Sequence, residues 1–131
     1  MYNAKAVRAS TGSLFHLSLA TEVDLSAAAA QARSSGLQVF GADGGASRTV
    51  DDLARSGELA RPTMWVLGNE AWGLPEDRAA QLDRLVALPM YGRAESLNLA
   101  TAAAVIVYAT ATAQRATSEP QTRSRPATQP S

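Results

Sequence analysis

The chain has no cysteine and a single histidine, His16. A disulfide framework, thiolate catalysis and cysteine-ligated zinc are therefore excluded, and one imidazole cannot build a metal site alone. No run approaches the ~20 apolar residues that a membrane-spanning helix needs. Charge of one sign is also missing: Lys and Arg total 12, Asp and Glu total 12, and the formal net charge is zero. Binding of nucleic acid by bulk electrostatics calls for a basic domain, so any such contact here must rest on a local patch or a partner. The first twenty residues hold Lys5, Arg8 and several hydroxyls but no acid. That composition faintly suggests a transit peptide, although a better reading of the same residues follows below. A cytoplasmic protein is the default expectation.

What is present is apolar and alternating. At 46% hydrophobic over 131 residues, the chain can bury one core, and a domain of this size hides roughly two-thirds of its unfolded surface. Asp24 to Ser35 reads as a helix of alanines with Gln31 and Arg33. Asp24 or Ser26 is its candidate cap, and Gly36 stands where a left-handed C-terminal residue is wanted. Leu37 to Ala42 reads as a strand, Asp43-Gly44-Gly45 as a turn, and Val50 to Arg55 as one or two helical turns ending near Gly57. Thr63 to Leu67 is continuously apolar from Met64, the pattern of a parallel strand covered on both faces. Leu74 to Leu82 suggests a short helix, with Pro75 in its first turn. Leu85 to Leu88 suggests a third strand, stopped by Pro89. A long helix is expected from about Leu97 to Gln114, capped by Ser96. Its apolar residues cover almost every face, which predicts burial on most sides and contact with a second subunit. From Ala116 the chain is Pro, Ser, Thr, Gln and Arg without a large apolar residue, a disordered-tail composition. The expected organisation is one α/β domain over residues 1–115, a parallel sheet with flanking helices, followed by a tail over 116–131.

Two segments suggest a site. Leu67-Gly68-Asn69-Glu70-Ala71-Trp72-Gly73 is a strand running into a glycine-bounded turn, and ligands of open α/β sheets bind outside the carboxyl ends of strands. Gly68 and Gly73 permit close backbone approach to a ligand. Glu70 could hold a ribose hydroxyl or a cation, while a tight loop with Glu70 in solvent is the plainer alternative. Ser96 and Asn98 open the long helix, where simple capping explains them equally well. With Leu85 to Met90, two strand ends and a helix start converge by sequence order into a possible small-ligand pocket. Trp65 is expected in the core. Trp72 could be core, ligand wall or interface. His16, between Phe15 and Leu17, reads as structural. Gly41 to Gly45 lacks the Gly-Lys-Ser/Thr ending of a phosphate loop. Arg123 and Arg125 in the tail read as solvated charge.

Taken in order, Gly-Asn-Glu-x-x-Gly-Leu at Gly68, a strand ending Leu88-Pro89-Met90, and Glu95-Ser96-Leu97-Asn98-Leu99-Ala100 opening a long helix resemble the C-terminal motifs of SpoU-type methyltransferases of the SPOUT superfamily. Upstream, Lys5-Ala6-Val7-Arg8-Ala9-Ser10-Thr11-Gly12-Ser13 resembles that family's internal Lys-x-x-Arg-x-Ser-x-Gly-Ser segment. The resemblance covers about Asn3 to Gln114. It implies a parallel sheet with a deep trefoil knot, a rare exception to unknotted topology, and a homodimer through the helix 97–114. It implies S-adenosyl-L-methionine as cofactor, held near Gly68, Leu88 and Leu97 with Asn69, Met90 and Ser96 close by. It also implies methyl transfer to a ribose 2′-hydroxyl of tRNA or rRNA, with Glu70 and Asn98 in supporting catalytic roles and Arg8 and Ser10 as RNA contacts. The family's arginine base belongs to an Asn-x-Gly-x-x-x-Arg motif, and no such pattern occurs in this sequence. The expectation is thus an N-terminally truncated domain, lacking strands that would cover Met64 to Leu67 and Leu37 to Ala42, in which Arg8 is a phosphate contact or a substitute base. A catalytically inactive cofactor- or RNA-binding fragment, or a dimerisation remnant, is the alternative.

Overall fold

The computed structural model describes residues 4–10, 12–68, 73–93 and 97–118. Helix α1 (Ala4–Ala9) and a 3-10 turn (Ser13–His16) lead into α2 (Leu25–Ser34). Then come β1 (Gln38–Ala42), α3 (Val50–Ser56), a 3-10 turn (Glu58–Ala60), β2 (Thr63–Leu67), α4 (Glu76–Ala79), β3 (Arg84–Val86) and α5 (Leu99–Ser118).

The ends of these elements follow local chemistry. Asp24 caps α2 by accepting from the Ala27 N–H at 2.9 Å, and Ser26 bonds the same carboxylate oxygen. Gly36 at φ 83° takes the left-handed conformation beyond the helix end. Thr49 and Asp52 form a reciprocal capping box at the start of α3, and Gly57 at φ 78° ends it. Helix α4 is a single turn rather than the Leu74–Leu82 helix expected. Leu74 and Leu82 are drawn instead onto the bare α-carbon of Gly41, where a β-carbon would lie 2.7 and 2.4 Å from their methyls.

The three strands are parallel in the order β2-β1-β3. The register pairs Ala42 with Leu67 on one side and with Val86 on the other. Strand β1 is thus paired along both edges, which corrects the expectation that Leu37 to Ala42 lacks cover. Its alternation separates two cores. Phe40 faces Val50, Leu53, Leu59, Val86 and Ile106 of the α3/α5 layer, with Trp65 edge-on at a 5.7 Å ring separation. Val39 faces Ala29 and Ala32 of α2, with Met64, Val66 and Leu82 around it. Trp65, expected in the core, is half-buried and packs against the Phe40 core, its indole donating to the buried Thr110 hydroxyl at 3.0 Å.

Helix α5 departs most from expectation. Only Ile106 and Thr110 are buried, while Val105, Val107 and Tyr108 are exposed. An all-round apolar helix is buried all round only when something covers each side, and among the described residues one side is covered. His16, expected to be structural, is exposed. No helix among the described residues is long and apolar enough to cross a membrane.

Candidate functional site at the carboxyl ends of the strands

The order β2-β1-β3 makes the β1/β3 boundary the point where successive connections leave the sheet in opposite directions. In open parallel sheets a crevice opens at such a switch point, outside the carboxyl ends of the strands. Gly68 follows the last residue of β2 and Ala87 the last residue of β3, so both stand level with Asp43 at the end of β1. Two strand spacings, about 10 Å, separate the β2 and β3 ends across β1.

Helix α5 brings its start to the same end. Thr110 meets Trp65 in the middle of β2, and the Gln114 side chain donates to the Arg61 carbonyl just before that strand. The helix therefore runs antiparallel to β2. From Thr110 back to Asn98 is roughly 18 Å of helix, and from Trp65 on to Gly68 is about 10 Å of strand. The start of α5 thus reaches the carboxyl end of the sheet and slightly past it. Asn98 caps it, its Oδ1 accepting from the Thr101 N–H at 2.8 Å. The cap had been expected from Ser96.

Gly68, Leu88, Met90 and Leu97 are thereby directed to one end of the domain. Leu88 is half-buried against the core that holds Phe40 and Ile106, Met90 is half-buried, and Leu97 is 40% exposed. Gly68 has a structural reason to be glycine: a β-carbon there would lie 2.0 Å from the Gly73 carbonyl oxygen. The two ends of the 68–73 loop close on each other, and Gly73 at φ 63° is left-handed. The loop after β3 is tied to the first turn of α3, the Tyr91 hydroxyl donating to Asp51 at 3.1 Å. That bond, and the Asp51 charge, push the Tyr91 hydroxyl above its ordinary value.

Asn69, Glu70 and Ser96, expected to touch ligand or substrate, lie outside the described residues, as do Trp72, Arg123 and Arg125. Arg8 is exposed, and its Nε donates to the Ala4 carbonyl one turn back in α1. No hydrogen bond or ion pair among the described residues joins Arg8 to Gly68, Leu88, Met90 or Leu97. Ser10 is half-buried in the turn after α1, where its carbonyl accepts from the Ser13 N–H.

The sequence had marked Asp43 only as part of a turn. In the fold it directly follows the central strand, half-buried between the β2 and β3 ends. Its Oδ1 accepts from the Gly45 N–H at 2.8 Å, and its Oδ2 lies 3.4 Å from where a β-carbon on Gly73 would stand. An acid directly after an apolar strand was the available signal.

Strand order and direction together define an open parallel α/β domain with its switch point between β1 and β3. The chain belongs to the SpoU rRNA Methylase family, whose model matches residues 1–108. A tRNA/rRNA methyltransferase of Mycolicibacterium gilvum (strain PYR-GCK) is 36% identical over 104 residues, covering 79% of this chain and 32% of that protein. The 23S rRNA (uridine(2479)-2'-O)-methyltransferase of Streptomyces viridochromogenes is 35% identical over 113 residues, covering 82% and 38%. Among solved structures, the SpoU methyltransferase AviRb from Streptomyces viridochromogenes in complex with AdoMet aligns with a TM-score of 0.72 at 32% identity, over 90% of this chain and 46% of that one. The chain therefore spans about a third of the length of these curated relatives and just under half of that structure.

Proposed function

We propose that this domain binds S-adenosyl-L-methionine at the carboxyl ends of β1, β2 and β3 and serves methyl transfer to a ribose 2′-hydroxyl of tRNA or rRNA, in the cytoplasm. The observation that carries the reading is the convergence of the Gly68 end of β2, the Leu88–Met90 end of β3 and the start of α5 in a chain of the SpoU rRNA Methylase family. The residues suit such a ligand: closely approaching glycine backbones, half-buried apolar walls from Leu88 and Met90, and an acid directly after the central strand. Gly68, Leu88 and Leu97 would hold the adenosyl portion, with Asn69, Met90 and Ser96 beside them. The knotted path implied by the resemblance belongs to the same reading.

The cofactor, when bound, supplies an electrophilic methyl group. The chain's own part is to hold that methyl in line with the incoming ribose oxygen, since positioning supplies much of the rate of such transfers. Glu70 and Asn98 would orient groups around the hydroxyl, with Asn98 also fixing the first turn of α5. Arg8 and Ser10 would meet RNA phosphates. Two copies would associate through α5.

Isothermal titration with S-adenosyl-L-methionine tests the reading: measurable binding to the folded chain is expected, and its absence would remove it. A second reading is a cofactor- or RNA-binding module without catalysis. Incubating tRNA and rRNA with methyl-labelled cofactor separates the two. Labelled ribose supports the enzyme, whereas binding without labelled ribose supports the module.

A further inference from the structure

Three of the described acids near the sheet layers face a cation. Glu58 faces Arg48 and Arg84 at 3.0 and 2.6 Å, Asp83 faces Arg33 at 2.8 Å, and Asp52 faces Arg55 at 3.0 Å. Asp51, in the first turn of α3, is also half-buried and without an ion pair among the described residues, and accepts from the Tyr91 hydroxyl. Asp43 has a single donor, the Gly45 N–H on its Oδ1, and among the described residues no cation pairs with it. It is half-buried, and it directly follows the central strand at the switch point. A carboxylate held at the strand ends without a counter-charge is available to pair with a cationic ligand. Its Oδ1 is held by the turn, so the carboxylate is fixed in place. Its Oδ2 is turned toward Gly73, one of the two glycines that close the loop after β2.

We infer that Asp43 is the counter-charge for a cationic cofactor in this crevice and sets a preference for the adenosyl sulfonium over its uncharged thioether product. The inference rests on the proposed cofactor site and adds to it the group that distinguishes substrate from product. Methyl transfer removes the sulfonium's positive charge, so a fixed anion there holds the reactant more tightly than the spent cofactor.

Asp43→Asn isolates the charge, because an asparagine Oδ1 can still accept from the Gly45 N–H and keep the turn. Titrations of the whole chain with S-adenosyl-L-methionine and with S-adenosyl-L-homocysteine, wild type against variant, read the effect. The variant is expected to bind the sulfonium about tenfold more weakly and the thioether with little change. Should Asp43→Asn fail to fold, Asp43→Ser, which also keeps a short oxygen acceptor, carries the same comparison. Unchanged binding of both ligands, or an equal loss of both, overturns the inference while leaving the cofactor site intact. Binding of neither ligand by the wild type overturns the proposed cofactor site itself, and this inference with it.

Discussion

Two glycines illustrate how differently one missing β-carbon can matter. At Gly41, in the middle of β1, an added carbon would lie 2.4, 2.7 and 2.9 Å from terminal methyls of Leu82, Leu74 and Leu85. Those are ends of flexible side chains, which can swing aside. At Gly68 the obstruction is backbone, the Gly73 carbonyl oxygen at 2.0 Å and its carbon at 2.3 Å, and it cannot move without opening the loop. Gly41→Ala should cost about 1–3 kcal/mol, the usual range for overpacking a core, partly offset by the lower entropy of the unfolded chain. Gly68→Ala should cost more than Gly41→Ala. Urea unfolding of both variants, followed by circular dichroism, checks the ranking; a Gly68→Ala midpoint equal to wild type would disprove the closure of Gly68 on Gly73. Sequence alone singled out Gly68, but as a ligand contact. The fold adds a reason internal to the chain, which only the backbone course could reveal.

At the scale of elements, one carboxylate fastens three of them. Asp83 precedes β3 and accepts from the buried Val39 N–H of β1 at 2.7 Å, while Arg33 of α2 donates to its other oxygen at 2.8 Å. The Val39 bond, first, and the Arg33 bond and charge hold the Asp83 carboxyl below its ordinary value of 3.8. A lowered folded-state pKa means the charged form is favoured by folding. The resulting stability is present above the unfolded pKa of about 3.9 and is lost as pH falls through the lower, folded value. Asp83→Asn should therefore be less stable than wild type near pH 7, with the gap closing below about pH 4. Asp83→Ala should cost about 1–3 kcal/mol at neutral pH, because it leaves the Val39 N–H unpaired. Denaturant midpoints measured between pH 2 and 7 check both; a pH-independent gap for Asp83→Asn would contradict the charged contact.

The same scale shows what was legible beforehand. Strands β1 and β2, helix α2 with its Asp24 cap, and the ends at Gly36 and Gly57 all followed from short-range chemistry: capping oxygens, left-handed glycines and apolar runs. Strand order was not legible, since the chain visits β2 before β3 and nothing local says that β1 lies between them. Nor was the shortness of α4, because Leu74 and Leu82 satisfy a helical spacing and a sheet-packing role equally well. The start of α5 was misread by two residues, as Ser96 and Asn98 are both good caps and the choice depends on where the preceding loop delivers the chain. Asn98→Ala should cost the helix about 1 kcal/mol, read as a lower thermal midpoint. No change would mean that the Thr101 N–H has another acceptor.

The whole molecule poses the question of what covers α5. Its buried side is settled by Ile106 in the core and by Thr110, which accepts from Trp65 and donates back to the Ile106 carbonyl. Its other side offers Val105, Val107 and Tyr108, with Tyr108 76% exposed. An isologous pairing of two such helices would bury the same patch twice, and alanines at 104 and 111 on that side would let the helices approach closely. The wild-type chain is expected to sediment at about twice its 13.7 kDa. A Val107→Glu, Tyr108→Glu variant should sediment as a single chain with its helical signal intact, since both side chains stand outside the folded core and their loss leaves no cavity. Sedimentation equilibrium with parallel circular dichroism decides it. A wild-type protein that stays monomeric at tens of micromolar, or a double variant that remains dimeric, would assign that apolar face to something other than a second copy.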